Sequence, residues 1–365
     1  MSFSELSKKL TSEISTTDKK KGGIFFTPFQ TVDKIIDYTK NILDSNKKLD
    51  ILEPSCGSGQ FLEKISSAYP NSNITGVELQ DHIFQTLKDR QNSNHFKDIQ
   101  LIHHDFLTWN SSKKYNLIIG NPPFGVVKKN SIPSSFTTNS LGSLLEGRPN
   151  LFILFIIKSL YLLSDGGLLA FVLPKNFLNC LYYQKVRKYI DRYFKIHTIQ
   201  YGSGDYLDTN QDTIYIIIEK IPIGVIDKID NRQWCWNPSG YSGSIFFCSG
   251  EMDIIKKLSE GSTSLKKLNF RVGVGNTVWN QCKDKLTTDN RYTRLIYSSD
   301  IKDGKLLESP VISKNPERKN YIKAEGWKLR TIVINRGYGM GRYHFNYSLI
   351  DVNYPYLIEN HLIYI

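Results

Sequence analysis

From Leu49 to Lys220 the chain alternates short apolar runs with stretches of helical spacing. Asp50–Glu53, Ile74–Glu78, Ile99–His103, Tyr115–Gly120 and Leu168–Leu173 have the length and branched, apolar character of strands, and the segments between them repeat apolar residues at helical intervals. That alternation predicts an α/β domain built around a largely parallel sheet. Two later runs, Ile196–Tyr201 and Thr213–Glu219, have no helix-length segment between them and predict an antiparallel pair closing the sheet.

The alternation stops near Ile221, where Gly, Ser, Asn, Arg and aromatic residues begin to intermix in short β-like pieces. Two domains are therefore expected, 1–222 and 223–365. Val126–Pro149, rich in Ser, Thr, Lys and Gly, predicts a long loop in a compact domain, the kind that serves as a lid and is expected to order when a partner binds.

Charge narrows the choice of partner. Lys and Arg total 47 against 35 Asp and Glu in 365 residues, a net charge of +12 that favours a polyanion. Met1–Lys20 is polar and lacks the apolar core of a secretory leader. The longest apolar run, Leu151–Leu163, is broken by Lys158 and is shorter than the roughly 20 residues that span a bilayer, so a soluble, cytoplasmic protein with no membrane partner is expected. Five scattered cysteines without a Cys-x-x-Cys pair read as reduced packing thiols, and no metal site is expected.

The first candidate chemistry lies at the end of the first strand. Glu53-Pro54-Ser55-Cys56-Gly57-Ser58-Gly59 runs from strand through a glycine turn into a helix, and Gly57 and Gly59 let backbone N–H groups approach a ligand that a Cβ would exclude. The next strand ends in Glu78, about twenty residues on, where such domains place the acid that binds ribose hydroxyls. A nucleoside cofactor follows, and Leu62 in place of a third glycine favours one without pyrophosphate over a dinucleotide. At the end of the third strand Asp105 is placed to accept from an adenine amine and Phe106 to pack on its ring; capping the following turn is the other role open to Asp105.

The fourth strand ends in Asn121-Pro122-Pro123-Phe124, the most specific signal in the chain. An aryl amine such as adenine N6 is a poor nucleophile because its lone pair is delocalised. Two acceptors gripping its N–H bonds, the Asn121 side chain and the Pro122 carbonyl, would draw the nitrogen toward tetrahedral geometry and aim the lone pair at a methyl donor. The prolines stiffen the turn, and Phe124 offers a face for a base.

With those motifs in order, the chain resembles the gamma-class DNA adenine-N6 methyltransferases of restriction-modification systems over about Gly22 to Lys220. The resemblance implies a Rossmann-like S-adenosylmethionine-dependent methyltransferase sheet with an appended C-terminal target-recognition module. It implies S-adenosyl-L-methionine as cofactor, duplex DNA as substrate with the adenine flipped out, and a cognate restriction endonuclease or partner subunit as companion. Gly22-Gly23-Ile24-Phe25-Phe26-Thr27-Pro28 resembles the family segment over the methionine end of the cofactor, which makes Thr27 a cofactor ligand together with Glu53, Gly57, Gly59, Glu78, Asp105, Phe106 and Asn121. Gly166–Phe177 resembles its fifth-strand signature. The family's second stacking aromatic falls on Tyr206, where Phe is usual, with Tyr201 as the alternative.

Beyond residue 223 the match is loose. Arg271, in Arg271-Val272-Gly273-Val274-Gly275, and Arg336 and Arg342, which flank Gly337-Tyr338-Gly339-Met340-Gly341, are the candidate DNA contacts. Two other readings stand beside the DNA enzyme. An RNA or protein (glutamine) methyltransferase of the Asn-Pro-Pro-aromatic group would typically carry Tyr at position 124. A non-catalytic DNA-binding subunit would have no reason to keep Asn121, Pro122 and the glycines.

Overall fold

The structure, a computed structural model, describes residues 3–13, 26–93, 95–96, 99–137, 140–147, 149–202, 212–237, 243–336 and 345–365. They form two compact units, Met1–Glu260 and Gly261–Ile365.

In chain order the first unit contains α1 (Glu5–Glu13), α2 (Phe29–Lys40), β1 (Asp50–Glu53), α3 (Gln60–Ala68), β2 (Asn73–Glu78), α4 (Asp81–Asn92), β3 (Ile99–His103) and β4 (Tyr115–Gly120). It continues with α5 (Leu151–Leu162), β5 (Leu163–Pro174), α6 (Gln184–Tyr193), β6 (Phe194–Tyr201), β7 (Thr213–Lys220) and α7 (Glu251–Ser259). The seven strands lie in the order β3-β2-β1-β4-β5-β7-β6. β1 to β5 pair in parallel, and β7 inserts antiparallel between β5 and β6. This is the Rossmann-like arrangement that the sequence predicts, a largely parallel sheet closed by an antiparallel pair.

Both faces of the sheet are buried, and the pleat sorts neighbouring residues between them. Leu52, Ile118 and Leu169 face a core shared with α5 and α6, while Ile51, Leu117 and Ala170 face a second core shared with α2 to α4. Burial from several sides also explains why α5 is apolar around most of its circumference. Its first turn is capped by Asn150, whose Oδ1 accepts from the Phe152 N–H at 3.3 Å.

The predicted strands β1, β3 and β4 have the expected bounds, and β5 starts five residues earlier than Leu168, directly from the end of α5. The predicted loop carries structure of its own. Its ends are tied by the Val127 N–H to Pro149 O (3.0 Å) and the Leu151 N–H to Gly125 O (2.7 Å), and Phe136, within it, is buried in the core.

The first unit also extends past residue 222, where the sequence places its boundary. Trp234, Cys235, Phe246 and Cys248 enter the core of the sheet. Asn231 Oδ1 accepts from the Ile196 N–H at 2.9 Å, next to the register shift in β6, and the fully buried Arg187 donates to the Ser244 carbonyl at 2.6 Å.

The second unit holds two small four-stranded sheets. One is antiparallel, in the order Gly273–Val274, Leu362–Tyr364, Thr331–Asn335, Tyr347–Ile350. The other, Leu286–Thr287, Tyr321–Ile322, Thr293–Ile296, Tyr356–Ile358, ends in a parallel pair. Small apolar clusters around Val333 and Tyr356 and around Leu295 and Tyr297 form its core.

Candidate active site

The carboxyl ends of β1, β2, β3 and β4 meet where the strand order reverses, the place at which open α/β sheets hold ligands. Each strand leaves a polar residue there.

After Glu53 the chain turns with Gly57 and Gly59 in the left-handed region, at φ +50° and +74°. A Cβ on Gly59 would also lie 2.7 Å from Leu87 Cδ2, so this glycine serves the turn and the packing of α4. Glu78 ties the turn to the end of β2: its Oε2 accepts from the Gly57 N–H at 2.9 Å and its Oε1 from the Gln80 N–H at 2.8 Å. Beside it Glu53 is 1% exposed, and among the described residues its Oε2 has no hydrogen-bond partner. Burial, and then the charge of Glu78, push the Glu53 carboxyl well above the usual carboxylate range. Glu78 is raised too, by burial, against the pull of the backbone N–H groups that it accepts.

At the end of β3, Asp105 takes the capping role: its Oδ1 accepts from the Leu107 N–H at 2.8 Å. The residue still lines the cavity described below. Phe106 is buried and packs against Phe155 with ring centroids 4.9 Å apart. At the end of β4, Ser55 Oγ donates to the Asn121 carbonyl at 3.1 Å, joining the loops that follow β1 and β4. Pro122 is buried, and Phe124 is half-buried, edge-on to Phe152 at 6.1 Å, with its carbonyl accepting from Asn150 Nδ2 at 3.2 Å. From the N-terminal side, buried Thr27 offers its carbonyl to Gln60 Nε2 at 2.9 Å.

A cavity of about 350 Å³ opens among these groups. Thr27, Glu53, Gly57, Glu78, Asp105, Phe106 and Asn121 all line it; Gly59, Pro122 and Phe124 stand outside its lining. Tyr206 and Arg342 lie outside the described residues. The alternative aromatic, Tyr201, is 44% exposed and donates its hydroxyl to Glu251 at 2.6 Å. Arg271 and Arg336 are exposed in the second unit, where Arg336 Nη1 donates to the Asn360 carbonyl at 2.9 Å.

Leu79, Ile83 and Phe155 also line the cavity, and sequence reasoning missed them. Leu79 had a local signal, an apolar residue directly after a strand-end acid, left 57% exposed. Phe155 had none, because an almost wholly apolar helix does not reveal which side meets a ligand. Together the lining offers a buried carboxylate with one oxygen unpartnered among the described residues for an ammonium, a second carboxylate for hydroxyls, and apolar faces for a ring.

Several known proteins resemble this chain. The type II methyltransferase M.CvrRI of Paramecium bursaria Chlorella virus XZ-6E is 28% identical over 371 residues, covering 99% of this chain and 87% of that protein. Modification methylase CviBIII of Paramecium bursaria Chlorella virus NC1A is 26% identical, over 99% of this chain and 86% of its own. The methyltransferase subunit of a Streptococcus thermophilus type I restriction-modification system superposes with a TM-score of 0.48 at 17% identity, covering 67% of this chain and 55% of that one. The profile of the Eco57I restriction-modification methylases matches residues 11–205, more than half of the 365, and the chain belongs to that family.

Proposed function

We propose that this protein is a site-specific DNA methyltransferase that transfers the methyl group of S-adenosyl-L-methionine to N6 of an adenine rotated out of duplex DNA. One observation carries the reading: a single cavity is lined both by the strand-end acids Glu53 and Glu78 and by Asn121, which opens the Asn-Pro-Pro-Phe turn. Relatives named as type II methyltransferases or modification methylases, matched over nearly the whole chain, support it.

The residues fit the cofactor. The unpartnered Glu53 Oε2 suits the ammonium of its methionine end, Glu78 the ribose hydroxyls, and Asp105 the adenine amine, with Leu79, Ile83 and Phe106 as the apolar walls. When bound, S-adenosyl-L-methionine supplies an electrophilic methyl group on a sulfonium. Asn121 Oδ1 and the Pro122 carbonyl accept the two N6 hydrogens, so the nitrogen lone pair points out of the ring plane. Phe124 stacks on one face of the base and Tyr206 on the other, offsetting the few kcal/mol of extrusion. After methyl transfer the surplus proton of the amine would leave to water. Fixed carbonyl dipoles stabilise the positive charge at that nitrogen, so the reaction needs no tuned general base.

Residues 223–365 are proposed as the target-recognition part of the chain, with the compact unit from Gly261 as its body and Arg271, Arg336 and Arg342 as DNA contacts. A cognate restriction endonuclease belongs to the same proposal.

The test is transfer of labelled methyl to duplex DNA followed by nucleoside analysis, with Asn121→Ala alongside. N6-methyladenine that is lost in the variant supports the proposal. Label on RNA or protein instead of DNA would overturn it.

A further inference from the structure

α5 is apolar at every position except Lys158, Ser159 and Tyr161. A lysine in such a helix is expected at its solvent side, because burying an unpartnered ammonium is costly. Lys158 is instead half-buried, and its ammonium donates to the backbone carbonyls of Phe106 and Trp109. It also sits 5.0 Å from the centroid of the Phe106 ring, within cation–π range. Burial brings its pKa down to about 8, with Asp105 pulling the other way, so the ammonium persists at neutral pH.

The two carbonyls belong to one helical turn. The Thr108 and Trp109 N–H groups donate to the Asp105 carbonyl at 3.0 and 2.8 Å, and the Asp105 side chain caps the start of the turn through Leu107. Such a turn leaves acceptors at its carboxyl end, where a cation is favourable. Asp105 holds one end and Lys158 the other. Phe155, one turn before Lys158 on α5, packs on Phe106 and lines the cavity.

We propose that Lys158 is a positioning residue of the cofactor site: by binding the Phe106 and Trp109 carbonyls it fixes the turn that presents Asp105 and Phe106 to the cavity. It does not line the cavity itself. The inference rests on the cofactor reading given above.

Lys158→Met keeps the stem and removes the donors, leaving two carbonyls unpaired. By titration calorimetry its affinity for S-adenosylhomocysteine is expected to fall about tenfold, the size of one unsatisfied buried group. KM for S-adenosyl-L-methionine rises in parallel, while kcat at saturating cofactor stays within about twofold. Hydrogen exchange at Leu107–Trp109 quickens in the absence of cofactor. Wild-type affinity and unchanged exchange in this variant would overturn the proposal. If Lys158→Met does not fold, Lys158→Arg decides: it keeps a cation with donors and is expected to bind within about threefold of wild type, and a folded Arg variant weakened as much as tenfold overturns the proposal equally. Failure of the wild-type protein to bind S-adenosylhomocysteine would instead remove the cofactor reading.

Discussion

The two units bury apolar residues on different scales. Up to Glu260, the inner strands of the sheet are covered on both faces: the six residues of β4 and the last eight of β5 are nearly all excluded from water. From Gly261 onward the longest strand among the described residues has five, Thr331–Asn335, and the apolar clusters are small. A deep two-sided core over-determines where each strand ends, so four strand ends can deliver polar groups to one cavity. A thin core leaves most side chains to loops, which tolerate change, and variable surfaces are commonly carried on such loops. The difference teaches that a deep core can hold four strand ends on one cavity, whereas a thin core leaves more of its unit's surface to loops.

The largest expected effect strikes the frame. Asn121→Ala should lower kcat of methyl transfer by about 10²–10³, the usual cost of removing one fixed dipole from a reacting centre. Cofactor affinity, measured by calorimetry, should move only a few-fold. Loss of both to the same degree would show that Asn121 holds the cofactor more than the base.

Next comes the turn itself. Gly59→Ala places a Cβ against Leu87 at φ +74° and should cost about 1–3 kcal/mol of stability, read as a lowered denaturation midpoint. A neutral result would mean that the turn relaxes and that the frame is less determined than its burial implies.

The third prediction is electrostatic. Glu53 has a folded pKa above its unfolded value of about 4.3, so its contribution to stability is full below that pH and is lost as pH rises through the folded pKa. The ligand-free protein should therefore lose stability as pH rises above the ordinary carboxylate range, and Glu53→Gln should flatten that slope, read by thermal denaturation across pH. Binding of a ligand ammonium favours the ionised carboxylate, so wild-type affinity for S-adenosylhomocysteine should strengthen with pH over the same window. An equal slope in the Gln variant would assign it elsewhere, Glu78 first.

The smallest effect is expected in the second unit. Arg336→Ala should weaken duplex binding modestly and reduce the dependence of log K on log salt by about one, if its guanidinium meets a phosphate. Cofactor affinity should not change. A change there would erase the division of labour between the units.

Several features were legible in the chain because they are local. Short apolar runs bounded by turn residues located β1, β3 and β4, and a strand-end acid followed by Gly57 and Gly59 located the glycine turn that lines the cavity. Asn121–Phe124 marked the turn after β4, and Asn121 does line the cavity. Thr27 was reached through family resemblance alone, since nothing in its own neighbourhood marks a ligand.

Other features depended on contacts between distant residues. Asp105 offered two roles that sequence cannot separate, and the turn closed by Leu107 and Lys158 made it a cap that also faces the cavity. The first unit runs on to Glu260 because Trp234, Phe246 and Cys248 dock on the sheet, and isolated apolar residues in irregular chain carry no period that could announce this. Phe155 joined the site because α5 is buried nearly all round, so only packing decides which side meets the cavity. The sequence by itself determined the local elements, because apolar runs, helical spacing and turn residues are set within a few positions of one another. The tertiary structure alone decided the strand order, the reach of the first unit and the convergence on one cavity, because each depends on which far-separated surfaces exclude water together.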